Sequence, residues 1–298
     1  MKNLKKIIVI LGPTASGKTD LSVGLAKKFN GEIISADSRQ VYKGMNIGTG
    51  KVTKKEMQGV PHYLLDVASP KKRFDVVQFK KLADKAIDKI YKKKKVPFLV
   101  GGTGFYIQVV VDGISIPNVK PDLTLRKKLE KKTVPELYKI LSKLDPRRAG
   151  DIDKNNPRRL IRALEIVLKS KRPVPPIQPE NPGFSSLYLG VKRDTKTLQK
   201  LIEKRLIKRL DEGMVEEVES LHKSGVSWKR LEEFGLEYRY VTRYIRGKLD
   251  REEMIKQLQK EIEHYAKRQM TWFKKDKRIK WIKDKKGAIT AIDKYLNK

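Results

Sequence analysis

The feature that most constrains the fold is a short apolar run followed at once by a glycine-rich motif. Residues Ile7 to Leu11 (IIVIL) are wholly apolar and mostly β-branched, as expected of a parallel strand that is buried on both faces. The next eight residues read GPTASGKT, a full match to the pattern GxxxxGK[ST], and a helix is predicted from Gly17 to about Phe29. This order of strand, loop and helix predicts a P-loop in a parallel α/β sheet.

The P-loop predicts a site for a di- or triphosphate. Its backbone N–H groups converge on phosphate oxygens, and the helix N-terminus adds the positive end of its dipole. We expect Lys18 to supply a point charge and Thr19 to offer its hydroxyl to Mg²⁺. The predicted diphosphate-binding residues are Gly12, Pro13, Thr14, Ala15, Ser16, Gly17, Lys18 and Thr19.

The remaining pattern predicts one α/β domain that is interrupted by helices. Hydrophobic runs at 32–36, 62–67, 96–100 and 186–191 are typical of strands, and 79–91 carries a helical stripe. Helical periods fill 122–171, and five prolines follow between Arg172 and Phe184. We therefore predict a P-loop NTPase-like parallel sheet flanked by helices over residues 1–115 and 186–298. An all-helical insertion would occupy 116–185, and the C-terminal segment would be helical.

A long helix is predicted from Asp250 to about Phe273, and Gln269 falls on its apolar face. A glutamine at such a position is either satisfied by a backbone partner or directed into a site. The sequence leaves both interpretations open.

The charge of the chain indicates a polyanionic partner. Lys and Arg number 69 against 35 Asp and Glu, which gives a formal net charge of +34. Self-repulsion of this size favours a partner such as a nucleic acid or an anionic membrane. No apolar run approaches the roughly 20 residues of a membrane span, so we expect no membrane partner.

The chain has no cysteine, which excludes disulfides and thiolate-bound zinc. The apolar run after the basic N-terminus is also too short for the core of a signal peptide. We therefore expect a cytoplasmic protein.

A candidate catalytic carboxylate follows the second predicted strand. Asp37 begins the segment DSRQVY at the end of a strand where ligands bind in open α/β sheets. It could accept a proton, bind a metal or cap the next helix. Asp37 and Asp66 are also the two candidates for the metal-binding aspartate of a nucleotide kinase.

Six motifs together resemble a known family. They cover nearly the whole chain from Gly12 to Phe273, and in order they read GPTASGKT, ADSRQVY, PHYLLD, GGTGFY, NPRRLIRALE and KRQMTWF. The combination resembles the tRNA dimethylallyltransferases, also called tRNA isopentenyltransferases or IPP transferases. The adenylate isopentenyltransferases share the early motifs.

The resemblance implies transfer of a dimethylallyl group from dimethylallyl diphosphate to N6 of an adenosine. That adenosine lies directly 3′ of the anticodon, at tRNA position 37, in tRNAs that read codons beginning with U. The resemblance further implies that the P-loop holds the diphosphate as a leaving group and that Asp37 accepts the N6 proton. Arg205 would be a further diphosphate clamp, with Arg209 as the second choice because it stands where the family has Met.

The resemblance also implies contacts with the tRNA anticodon stem-loop. Asp37, Ser38, Arg39, Gln40 and Thr103 would surround a flipped adenosine. The segment 158–162 would meet the anticodon arm, while Arg126 would contact phosphate. The full predicted tRNA-binding set is Asp37, Ser38, Arg39, Gln40, Thr103, Arg126, Arg158, Arg159, Leu160, Ile161, Arg162 and Gln269.

One segment departs from the family pattern. The family usually has Ile-Gly-Tyr followed by a charged pair ahead of the last helix, whereas this chain has Phe234-Gly235-Leu236-Glu237-Tyr238.

Three other functions remain open at this point. An adenylate isopentenyltransferase would accept free AMP, and a P-loop kinase of a small metabolite would turn over a nucleoside triphosphate. An RNA-binding regulator would bind RNA without forming a product. We favour the tRNA enzyme, acting as a monomer with Mg²⁺ and dimethylallyl diphosphate, because a mononucleotide needs no extended basic surface.

Overall fold

The structure is a computed structural model that describes residues 4–176 and 184–297. The strands in this part of the chain are β1 (Lys5–Leu11), β2 (Gly31–Ala36), β3 (His62–Tyr63), β4 (Val96–Gly101), β5 (Phe184–Val191) and β6 (Lys280–Ile282). The helices are α1 (Lys18–Lys28), α2 (Lys54–Met57), α3 (Val76–Lys92), α4 (Gly104–Val111), α5 (Leu123–Leu129), α6 (Val134–Leu144), α7 (Pro146–Asp151), α8 (Pro157–Ser170), α9 (Thr195–Asp211), α10 (Met214–Lys223), α11 (Trp228–Phe234), α12 (Leu236–Ile245), α13 (Arg251–Phe273) and α14 (Lys285–Leu296).

The six strands form one parallel sheet in the order β3-β2-β4-β1-β5-β6. Leu11 at the end of β1 and Ala36 at the end of β2 both pair with Gly101 at the end of β4. The loops that follow these three strands therefore leave the sheet side by side at its carboxyl edge. Ligands bind at this edge in open α/β sheets.

The central strand β1 separates two hydrophobic cores. Ile7, Val9 and Leu11 pack with α3 and α4 on one face of the sheet. Ile8 and Ile10 pack with α1 and α14 on the other face. Because both faces are covered, the strand carries no polar residue from Ile7 onward, as its sequence predicts.

The C-terminal helices α9 to α13 pack around a third core that includes Val41, Tyr42 and Met45. Six residues of α13 are buried at intervals of three or four, which is the spacing of a helix that covers one face. They are Met254, Leu258, Ile262, Ala266, Gln269 and Phe273.

The chain divides into two compact units, and the described residues 114–176 form the smaller one. It consists of α5 to α8 around its own core, to which Leu137, Leu141, Leu160 and Leu164 belong. Each of these helices begins at a residue whose side chain accepts a backbone N–H, which satisfies part of the helix terminus. The capping residues are Asp122, Thr133, Asp145 and Asn156.

The structure confirms the predicted parallel sheet flanked by helices and differs from the predicted bounds at several places. The strand predicted over 62–67 ends at Tyr63, because Leu64 and Asp66 have φ values of 65° and 56° that no strand accommodates. The insertion begins at Ile114 rather than 116. Its predicted end at 185 lies within β5, which already begins at Phe184. In the proline-rich segment, residues 177–183 lie outside the described part.

Candidate active site

The P-loop presents unused hydrogen-bond donors at the carboxyl end of β1. Gly17 is the N-cap of α1 and supplies no side-chain cap, so the first N–H groups of the helix remain available. The backbone N–H groups of Ala15, Gly17 and Lys18 form no hydrogen bond with another residue in the described part of the chain. Ser16 is 1% exposed, and its hydroxyl has no partner there either. Unpaired donors arranged in this way fit phosphate oxygens.

Two cations at this loop have lowered pKa values. Burial and the nearby Arg205 guanidinium lower the pKa of Lys18 to about 8, while Asp37 acts in the opposite direction. Burial, followed by the neighbouring Arg209, lowers the pKa of Arg205 to about 10. Because positive charges crowd at the P-loop, a bound anion would stabilise the charged form of both side chains.

The structure distinguishes Arg205 from Arg209. Arg209 is 8% exposed, and its Nη1 donates to Gly48 O at 3.2 Å and to Glu237 Oε1 at 2.8 Å. Arg205 forms neither a hydrogen bond nor a salt bridge with any residue in ranges 4–176 and 184–297. Both guanidinium groups lie over Gly50, where an added Cβ would be 2.1 Å from Arg205 Nη2 and 1.8 Å from Arg209 Nη2. Arg209 is thus committed to an internal ion pair, whereas Arg205 has no such partner among the described residues.

Asp37 begins a turn directly after β2, next to these cations. Its Oδ1 accepts the N–H of Arg39 at 2.8 Å and the N–H of Gln40 at 3.3 Å. The residue therefore caps a turn rather than the next helix, because α2 begins only at Lys54. Oδ2 has no hydrogen-bond partner among the residues described, so one carboxylate oxygen is free to accept a proton.

The predicted base-contacting residues lie around this turn. Thr103 Oγ1 accepts the N–H of Ser38 at 3.2 Å, which ties the loop after β4 to the loop after β2. Arg39 lies over the Phe234 ring at 5.8 Å from its centroid. The Gln40 amide donates to Gly50 O at 3.1 Å and accepts from Ser35 Oγ at the same distance. The Gln40 side chain is thereby held by the protein itself, and Ser38, Arg39 and Gln40 are all partly exposed.

Gln269 is buried between the P-loop and the loop after β4. Its Oε1 accepts the N–H of Thr14 at 2.8 Å, and its Nε2 donates to Gly102 O at 2.9 Å. Of the two interpretations that the sequence left open, this geometry favours a glutamine satisfied by backbone partners. Its side chain has little surface for RNA, because it is 7% exposed.

The atypical segment 234–238 organises the loop that faces Arg205. Glu237 is the buried partner of Arg209, and Tyr238 donates to Glu217 at 2.7 Å. The Glu217 carboxylate also accepts three consecutive backbone N–H groups, at 2.7 to 3.0 Å. They belong to Asn46, Ile47 and Gly48. Three N–H donors on one carboxylate hold this loop rigidly, and sequence analysis missed both glutamates.

Sequence analysis also missed a role for Tyr265. Burial, followed by the charge of Asp37, raises the pKa of its phenol. The ring therefore lies near the candidate base. Its position one helical turn before Gln269 was the available signal.

In the smaller unit, the predicted RNA contacts separate into three groups. Arg158 and Arg159 are exposed at the start of α8. Arg126 and Arg162 both pair with Glu165, whose side chain is fully buried. Leu160 and Ile161 are buried in the core of the unit and offer no surface to RNA. Of the five predicted residues in 158–162, Arg158 and Arg159 are the two that are exposed, and Arg159 lies 3.8 Å from the Asp153 carboxylate.

Comparison with known proteins identifies the family. The IPP transferase family model matches residues 40–276, which is most of the chain. A tRNA dimethylallyltransferase from Acetivibrio thermocellus is 40% identical over 98% of this chain and 96% of its own length. The chain belongs to the IPP transferase family. The resemblance predicted from the six motifs is confirmed.

Further IPP transferases support the assignment. A tRNA dimethylallyltransferase 2 from Shewanella sediminis is 45% identical over 92% of this chain and 90% of its own length. The crystal structure of a full-length tRNA isopentenylpyrophosphate transferase from Bacillus halodurans has a TM-score of 0.73 and 36% identity, covering 98% of this chain and 96% of that one. A eukaryotic dimethylallyltransferase acting on tRNA has a TM-score of 0.76 at 29% identity, covering 90% and 69% of the two chains.

No group of three or more His, Cys, Asp or Glu side chains that could hold a metal ion occurs in the described part. Across the same residues, no helix is both long enough and apolar enough to cross a membrane.

Proposed function

We propose that this IPP transferase moves a dimethylallyl group from dimethylallyl diphosphate to N6 of the adenosine directly 3′ of the anticodon, in tRNAs that read codons beginning with U. The observation that carries the proposal is that Arg205, which has no ion-pair partner among the described residues, lies near both Lys18 of the P-loop and Asp37, whose Oδ2 is free. Relatives named tRNA dimethylallyltransferase support the same activity.

The P-loop acts on the diphosphate as a leaving group. Negative charge builds on the bridging oxygen as the bond between that oxygen and C1 of the prenyl chain breaks. The free N–H groups of the loop, together with Lys18 and Arg205, stabilise this charge without having to reorganise. Diphosphate is released intact, and no nucleoside triphosphate is consumed.

Asp37 acts on the adenosine that accepts the dimethylallyl group. The exocyclic N6 attacks C1, so a nitrogen–carbon bond forms while the carbon–oxygen bond breaks. The surplus proton on N6 passes to Asp37 Oδ2, because Oδ1 is already held by two backbone N–H groups. Those two hydrogen bonds also fix the orientation of the carboxylate.

Mg²⁺ fits this site as an ion carried by the diphosphate. The residues described offer no carboxylate cluster for a metal, whereas Thr19 places an exposed hydroxyl on the first turn of α1. Mg²⁺ keeps several water ligands and binds through few protein groups plus substrate phosphates, which matches this donor set. When bound, it would add positive charge to the leaving group.

In the larger unit, Ser38, Arg39 and Thr103 surround the flipped base. In the smaller unit, the exposed Arg158 and Arg159 contact RNA phosphates. The net charge of +34 supports a long polyanionic partner over a mononucleotide. The functional unit is a monomer. It acts in the cytoplasm, where tRNA is its substrate.

The proposal is tested by incubating the protein with dimethylallyl diphosphate, Mg²⁺ and unmodified tRNA, followed by digestion and mass spectrometry of the nucleosides. We expect prenylated adenosine from tRNA and none from free AMP. Prenylation of AMP with tRNA untouched would instead identify an adenylate isopentenyltransferase. Turnover of a nucleoside triphosphate with neither product would identify a kinase.

A further inference from the structure

Gln269 joins the two loops between which the proposed reaction takes place. It projects from α13, which otherwise buries only apolar side chains on this face. One end of its amide holds Thr14 of the P-loop, and the other end holds Gly102 after β4. The amide orientation is fixed by chemistry, because a carbonyl must face the Thr14 N–H and an NH₂ must face the Gly102 carbonyl.

The hydrogen bond to Thr14 changes what the P-loop can offer a phosphate. It engages the Thr14 N–H, while the N–H groups of Ala15, Gly17 and Lys18 stay unpaired within the described residues. Without a partner for Thr14, the loop would be free to turn a different set of donors inward. The side chain of Gln269 thus holds the Thr14 end of the loop in the conformation in which these other N–H groups are unpaired.

The other hydrogen bond, from Gln269 Nε2 to Gly102 O, leads towards the turn that contains Asp37. Gly102 directly precedes Thr103, whose Oγ1 accepts the N–H of Ser38 beside Asp37. The absence of a side chain at Gly102 also leaves room for Gln269, because a Cβ at residue 102 would be 2.3 Å from Gln269 Nε2. A continuous chain of short contacts thus runs from Thr14 through Gln269 to the turn that holds the candidate base.

We propose that Gln269 is a positioning residue that fixes the P-loop, which holds the diphosphate, relative to the turn 37–40, which holds the candidate base. We further propose that Gln269 does not contact RNA. This inference rests on the proposed prenyl transfer. The P-loop and the turn at Asp37 leave the carboxyl edge of the sheet as separate segments, so the sheet fixes only the point at which each segment begins. The glutamine sets the spacing beyond that point, on which alignment of N6, C1 and the leaving oxygen depends.

The test compares Gln269→Met with Gln257→Met. Methionine keeps the length of glutamine and removes both hydrogen bonds, and Gln257 is an exposed position on the same helix. We expect Gln269→Met to bind inorganic pyrophosphate about tenfold more weakly by calorimetry, because the cradle is no longer preorganised. Its kcat should fall about a hundredfold in single-turnover prenylation, the scale of a 1 Å misplacement of reacting groups. Its Kd for tRNA should stay within about twofold of wild type.

A second variant reaches the same contact from the opposite side. Gly102→Ala displaces the amide without altering Gln269 or any cation, so it should reproduce the losses in pyrophosphate affinity and kcat. Combined with Gln269→Met, it should add little further loss, since both remove one contact. Thermal unfolding midpoints are measured for all variants, so that a folding defect is recognised.

Three results would overturn the inference: unchanged pyrophosphate affinity and kcat in folded Gln269→Met, additive losses in the double variant, or tRNA binding weakened in proportion to kcat. The last would mean that Gln269 touches RNA. Failure of the proposed function is a separate outcome, because wild-type protein would then bind pyrophosphate but form no prenylated adenosine. The pyrophosphate comparison would still decide the role of Gln269.

Discussion

Arg205 and Arg209 lie one turn apart on α9, and replacing each by Gln should have opposite consequences. Arg209 forms a buried pair with Glu237 at 2.8 Å, with side-chain exposures of 9% and 12%. Removing one partner of such a pair leaves an uncompensated charge and costs about 3–5 kcal/mol. For a domain of this size the expected fall in Tm is roughly 6–20 °C.

Replacement of Arg205 should leave stability intact and remove activity. Its pKa lies below the usual value because burial and Arg209 disfavour its charge, so folding gains nothing from that charge at neutral pH. Arg205→Gln should therefore have a Tm equal to or slightly above that of wild type. Loss of one preorganised donor to the leaving group should lower kcat/KM for dimethylallyl diphosphate about 10²–10³-fold.

The assay is thermal unfolding by circular dichroism together with single-turnover kinetics. Lys208→Gln is the matched control, because Lys208 is exposed on the same helix and should change neither quantity. The reasoning is refuted if Arg205→Gln loses as much stability as Arg209→Gln. It is equally refuted if Arg205→Gln keeps normal kcat/KM while folded.

Three further predictions follow from the same geometry. Asp37→Asn should lower kcat about 10²–10⁴-fold with the Kd for tRNA unchanged, and normal single-turnover rates would refute its role as the base. Since the free protein holds the pKa of Lys18 at about 8, Lys18 is charged below that pH and loses its proton above it. Calorimetric Kd values for dimethylallyl diphosphate should rise above pH 8, with proton uptake on binding, and a flat profile to pH 10 would contradict this. Glu165→Gln should lower the stability of the smaller unit by about 3–5 kcal/mol, because Arg126 and Arg162 lose a buried partner. Hydrogen exchange in α5 and α8 measures this, and unchanged protection would refute it.

Local patterns predicted the elements that form the carboxyl edge of the sheet. The strand IIVIL and the P-loop could be predicted from neighbouring residues alone, because a short sequence pattern indicates both burial on two faces and the start of a helix. The strand at 62–67 was overestimated because its apolar pattern does not report the left-handed φ of Leu64 and Asp66. The strand β6 was missed, since the three residues KWI are too few to carry a periodic signal.

The partners of charged residues were the main part that the sequence did not reveal. Arg126 and Glu165 are separated by 39 residues, and nothing in either segment predicts that they pair. The same holds for Arg209 and Glu237, which are 28 residues apart. Motif order located Asp37, but the choice of its free oxygen required the turn geometry.

The most direct test of the central claim is a crystal structure with a thio-analogue of dimethylallyl diphosphate and an anticodon stem-loop. The account predicts the diphosphate on the P-loop N–H groups and Lys18, with Arg205 within hydrogen-bond distance. The adenosine 3′ of the anticodon should be flipped out, with N6 facing Asp37 Oδ2. A diphosphate bound elsewhere, or N6 directed away from Asp37, would contradict the account.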